Sequence, residues 1–114
     1  MNWRRISLFL LILSLFFSGC VYFNYLYNAQ KYYQEGTGNI EDYLQPDPKN
    51  VKRAELQKTI QRCTYILQEY PNSSYIGETI LLLGKAFYFN GEYFKANRKF
   101  DEYLTYYSTA ETEQ

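Results

Sequence analysis

The chain has 114 residues, room for one small domain. Twelve Lys and Arg balance twelve Asp and Glu, leaving no basic footprint for nucleic acid, and the absence of histidine removes the commonest general base and zinc ligand. Fourteen Tyr and eight Phe point instead to helices with half-buried surfaces, where a ring packs while its hydroxyl stays wet.

The N-terminus reads as an address. Arg4 and Arg5 precede an apolar run over residues 6–17 (ISLFLLILSLFF), shorter than the roughly 20 residues a membrane-crossing helix needs. Ser18 and Gly19 supply small residues beside a cleavage point, and Cys20 follows them. The stretch Phe17-Ser18-Gly19-Cys20 resembles a bacterial lipoprotein lipobox, with Phe17 where that family usually carries Leu. The resemblance implies cleavage after residue 19, a diacylglycerol thioether on Cys20 as the only non-protein group, and a place in the envelope. Two or three acyl chains, at about 0.8 kcal/mol per buried methylene, make a lasting anchor. The alternative is an uncleaved signal anchor, in which the apolar run continues through Val21, Tyr22 and Phe23.

Past Cys20 the spacing predicts four helices. The first covers residues 21–35, with Tyr22, Tyr25, Leu26, Ala29 and Tyr33 on one face and Gly36 as a left-handed cap. Residues 37–50 read as a loop, because Pro46 and Pro48 disfavour helix just before them. The second helix covers 51–69 and buries Leu56, Ile60, Cys63, Ile66, Leu67 and Tyr70. Ser73 or Ser74 begins the third, which reaches Phe89 and buries Ile76, Ile80, Leu83 and Phe87. After the Asn90-Gly91 turn, the fourth covers 92–107 with Tyr93, Ala96, Phe100, Tyr103, Leu104 and Tyr107 inward, and residues 109–114 form a polar tail.

The four segments form an internal repeat. Laying residues 63–71 over 100–108 matches Cys63 with Phe100, Ile66 with Tyr103, Leu67 with Leu104 and Tyr70 with Tyr107; upstream, Ala29, Tyr32 and Gly36 match Gly84, Phe87 and Gly91. The stretch Leu83-Gly84-x-x-Phe87, Gly91, Ala96, Phe100 resembles a tetratricopeptide repeat. Gly84 and Ala96 let the helices approach closely, and Leu83, Phe87 and Phe100 fill the space around that contact. Pro71 lies thirteen residues before Gly84 rather than ten. Tyr103 and Ile66 stand where the general repeat prefers Ala, and Ser108 stands where a terminal Pro is usual. The Pro71 spacing and the bulky Tyr103 and Ile66, with the turn at residues 70–75, are similar to the repeats of bacterial outer-membrane lipoproteins such as the BamD-like assembly factors and the Tol-Pal-associated coordinator proteins, whereas Ser108 departs from the pattern. The expected architecture is therefore all-α. A leader (1–19) precedes about two tetratricopeptide-like hairpins (20–108) in a right-handed solenoid.

Little supports catalysis. No Gly-rich phosphate loop or metal-ligand spacing is present, the acidic neighbours Glu41-Asp42 and Asp101-Glu102 do not face each other on a helix, and Cys63 falls in a core position. Binding is better motivated. The resemblance implies a concave face presenting Glu78, Leu81, Lys85 and Tyr88 from the third helix and Phe23, Leu26, Gln30 and Tyr33 from the first. Tyr33 and Leu81 also suit the core between hairpins. The expected role is a scaffold docking other envelope proteins, in outer-membrane protein assembly for example. A glycan- or ligand-binding lipoprotein using the tyrosines is the alternative. The ring-rich last helix is expected to expose an apolar outer face, to be covered by a capping partner or a second copy.

Overall fold

A computed structural model describes residues 2–18, 22–38 and 51–112; of residues 15–18, 22–23 and 110–112 it describes the backbone alone. Five α-helices are formed: α1 (Trp3–Ser18), α2 (Tyr27–Thr37), α3 (Arg53–Glu69), α4 (Ile76–Phe89) and α5 (Tyr93–Thr112), with a π-helical turn at Tyr22–Leu26 leading into α2. The fold is all-α among the described residues, and no strand occurs there.

α1 carries the apolar run, and its side chains over residues 3–14 stand exposed, Trp3 by 85% and Phe9 by 72%. No helix among the described residues is long and apolar enough to cross a membrane.

α2 to α5 stack in chain order, α2 on α3, α3 on α4 and α4 on α5, with a smaller contact between α2 and α4. Each neighbour runs antiparallel to the last. The amide of Lys52 donates to the Gly36 carbonyl (2.8 Å), joining the start of α3 to the end of α2. The Arg53 guanidinium donates to the Asn90 carbonyl (3.1 Å), joining that same end to the end of α4. At the opposite end, Tyr106 and Tyr107 of α5 lie against Gly77 in the first turn of α4.

The core follows the 3.6-residue spacing. Cys63 and Ile66 of α3 are fully buried against Ile76, Ile80, Leu83 and Phe87 of α4, with Ala96 of α5 and Leu26 and Ala29 closing the two sides, and Leu56 of α3 is fully buried beside Gly36 of α2. Thr59 and Thr79 are buried too; each hydroxyl donates to the carbonyl four residues back, which silences a polar atom inside an apolar layer.

Four expectations are corrected. The left-handed cap of α2 is Gly38 (φ 75°), not Gly36, which stays within the helix, closely packed against Leu56 and with its carbonyl held by the Lys52 amide. Ser73 does not begin α4: its hydroxyl accepts from the Tyr75 amide in the preceding turn, and the helix starts at Ile76. Tyr93, Leu104 and Tyr107 are exposed by 62%, 65% and 45% rather than inward, because no described element lies beyond α5. Finally, α5 continues through Thr112 past the expected end at Tyr107. Thr105, Ser108 and Thr109 turn their hydroxyls onto carbonyls three or four residues back and ride the helix instead of ending it. Residues 39–50, with Glu41 and Asp42, lie outside the described residues.

Candidate functional site

α4 is the central helix and the most covered. Its open stripe runs through Glu78, Lys85 and Tyr88, all exposed, with Leu81 and Phe89 half-buried between and beside them. These are among the α4 positions that the tetratricopeptide resemblance implies for a binding face, and their spacing keeps them in one row. From Glu78 to Tyr88 the row is about 15 Å long, at 1.5 Å per residue.

At its far end the row broadens into a chain of rings. Tyr33 of α2 meets Phe89 at 6.0 Å between centroids, Phe89 meets Tyr88 edge-on at 5.2 Å, and Tyr88 meets Tyr93 at 5.4 Å. Tyr33 is half-buried and also packs on the core, so it supports the surface more than it forms it. Leu26 is fully buried and leaves the expected binding face altogether. Nothing is described of the Phe23 side chain, and Cys20 lies outside the described residues.

The ring chain sits on a rigid turn. Gly91 adopts φ 82°, its amide donates to the Tyr88 carbonyl (3.1 Å), and the Glu92 amide donates to the Phe87 carbonyl (2.9 Å), the paired bonds of a Schellman cap. A side chain at position 91 would be strained at that φ. The buried Asn90 amide donates to Glu92 Oε2 (2.9 Å), and Lys95 Nζ reaches Glu92 Oε1 (3.0 Å). The Asn90 amide first and the Lys95 ammonium second hold the Glu92 carboxyl below its usual range.

Glu78 lies at the opposite end, beside Tyr107, whose hydroxyl is raised chiefly by Tyr103 and in smaller part by Glu78. The site therefore unites Lys85, Tyr88 and Tyr33 at one pole and leaves Glu78 apart. Neither Glu78 nor Lys85 forms an ion pair among the described residues, whereas Lys58, Lys95 and Lys99 are each paired with a glutamate.

No group of three metal-binding side chains occurs among the described residues. Cys63 is sealed in the core, and burial pushes its thiol up to about 12. The repeat-packing residues Leu83, Gly84, Phe87, Ala96 and Phe100 come together where α4 meets α5.

Sequence reasoning missed one feature. The π-helical turn inserts a wider turn before α2, burying Leu26 and bringing Tyr25 against Tyr65 (4.9 Å) and Tyr70 (5.8 Å). A hydrogen bond to Tyr25 heads the causes that raise the Tyr65 hydroxyl to about 12. Tyrosine spacing alone carries no sign of the wider turn.

No family model, curated protein or solved structure matches the chain.

Proposed function

We propose that this chain is a lipid-anchored scaffold of tetratricopeptide-like hairpins, resembling the BamD-like outer-membrane lipoproteins. A diacylglycerol on Cys20 holds it to the outer membrane, facing the periplasm, and it docks an extended segment of another envelope protein. The 1–19 segment is the leader, and residues 20–108 are the docking domain.

One observation carries the docking role: the most buried helix of the domain keeps an open stripe, ending in rings packed edge-on, with two charges of opposite sign along it that form no ion pair with any described residue. A stripe of about 15 Å accommodates four or five residues of extended chain at about 3.3 Å each. A partner with an acidic side chain near Lys85 and a basic one near Glu78, and an apolar residue over Tyr88, matches it. The stripe is open rather than enclosed, the form suited to a peptide more than to a small molecule. The lipid anchor is supported by the order of Arg4, Arg5, the apolar run and Ser18-Gly19-Cys20. It is further supported by the exposure of the described apolar side chains of α1, from Trp3 to Leu13. Val21 in place of the Asp that retains lipoproteins at the inner membrane supports the outer membrane.

A photo-crosslinking residue placed at Tyr88 in the full chain tests the docking role in the intact envelope. A discrete adduct with an envelope protein, lost on Lys85→Glu, is expected. No discrete adduct, or one indifferent to Lys85, contradicts it.

A further inference from the structure

Tyrosines are unevenly placed along the stack. The pole made by the Tyr22–Leu26 turn, the end of α3, the start of α4 and the end of α5 carries two packed trios. Tyr25, Tyr65 and Tyr70 stand at 4.9, 5.8 and 6.2 Å between centroids. Tyr103, Tyr106 and Tyr107 follow, at 4.7 Å for the first and last and 5.5 Å for the last two. Both trios reach solvent: Tyr65 and Tyr106 are each exposed by 40% and Tyr107 by 45%.

Charge is segregated the other way. Residues 59–80 hold three charged side chains, Arg62, Glu69 and Glu78, and residues 103–112 hold one, Glu111, whereas residues 85–102, which build the Asn90-Gly91 pole, hold seven. Three surface lysines in ion pairs, Lys58, Lys95 and Lys99, lie outside the tyrosine-bearing stretches.

From these placements we infer that the tyrosine pole seats in the headgroup layer of a phospholipid membrane, with the α4 stripe's ring chain and Lys85 held away from it. The inference rests on the lipoprotein reading of Cys20. Tyr25 lies five positions after that cysteine, a reach of at most about 18 Å even fully extended. A lipid on Cys20 therefore brings this pole, and not the Asn90-Gly91 pole, to the bilayer surface. Tyrosine is the side chain suited to that layer, since its ring enters the acyl boundary while its hydroxyl meets headgroups and water. Few charges need be desolvated there. The antiparallel stack then stands on its tyrosine end, with the Glu78 end of the α4 stripe nearest the membrane and Lys85 and the ring chain facing outward.

The chain's single Trp, Trp3, leaves with the leader, so one introduced tryptophan reports one position. The full lipidated chain is reconstituted in phosphatidylethanolamine–phosphatidylglycerol vesicles with acyl chains brominated near the headgroups, as Tyr65→Trp, Tyr106→Trp or Tyr88→Trp. Quenching several-fold stronger at positions 65 and 106 than at 88 is expected, since interfacial side chains sink about 5–10 Å into that boundary. Equal quenching at all three positions overturns the inference. If Tyr65→Trp loses helical signal, Tyr106→Trp alone decides, read against Tyr88→Trp. The intact mass of the same sample separates the two failures. Lipid on Cys20 with an unquenched tryptophan overturns only the seating, and an unlipidated Cys20 overturns the lipoprotein reading along with it.

Discussion

Phe100 occupies the space that a side chain at Gly84 would need. A Cβ built on Gly84 would stand 2.7 Å from Phe100 Cε1 and 2.9 Å from Cδ1, with Lys99 Cβ at 3.3 Å. This close approach lets the ring of α5 lie directly on the backbone of α4, and it is the contact on which the second hairpin closes. Gly84→Ala is expected to lower stability by about 1–3 kcal/mol, the usual cost of overpacking a filled core. At Gly77 the nearest atom is Tyr106 Cε1 at 3.0 Å, the far end of a half-exposed side chain that can swing aside. Thermal melts should place Gly84→Ala well below Gly77→Ala; equal melting temperatures would contradict the packing account.

Lys85 and Tyr88 are exposed and Tyr33 supports the core, so their substitutions should separate binding from stability. Lys85→Glu should change unfolding free energy by no more than about 0.5 kcal/mol while abolishing the Tyr88 crosslink. Tyr33→Ala should weaken binding and stability together. Denaturant titration beside the crosslinking assay reads both.

Cys63 gives a chemical readout of the core. Its thiol is buried and pushed up to about 12, so it should resist a thiol reagent at pH 8 in the folded chain and react on unfolding. The count is also informative, because the chain has two cysteines. A thioether on Cys20 leaves one reactive thiol per unfolded chain. A count of two means that Cys20 is free.

The Glu92 carboxyl is held below its ordinary range by Asn90 and Lys95, so the folded state binds its proton more weakly than the unfolded one. Its stabilisation of the Asn90-Gly91 turn is present above the unfolded pKa and fades as pH falls through the folded pKa. Between pH 7 and pH 3, Glu92→Gln should therefore lose less stability than the parent chain. Parallel pH-dependent melts of the two proteins measure the difference.

The positions of α3, α4 and α5 were legible because apolar residues recur there at helical spacing and because Pro71 and Asn90-Gly91 punctuate the chain. The α4 stripe was legible for the same reason: once Ile76, Ile80, Leu83 and Phe87 face inward, Glu78, Lys85 and Tyr88 must face out. What escaped was set by tertiary contact. Gly36 and Gly38 flank Thr37 almost symmetrically in sequence, and what distinguishes them is tertiary: Gly36 lies against Leu56 and its carbonyl accepts from the Lys52 amide, while Gly38 takes the left-handed cap. The sequence repeat matches Gly36 with Gly91, whereas in space Gly38 is the counterpart of Gly91. The end of α5 escaped because a run of Ser and Thr looks like a terminator until their hydroxyls find carbonyls within the helix. The separation of Glu78 from the ring chain is a matter of length: a row of residues on one helix face still spans three turns.

The measurement that bears most directly on this account is mass spectrometry of the N-terminal peptide taken from the envelope. The account predicts a chain beginning at Cys20, with diacylglycerol on its sulfur. A chain that retains residues 1–19 with an unmodified Cys20 would contradict it, and would leave the helical stack on a protein stalk rather than on a lipid.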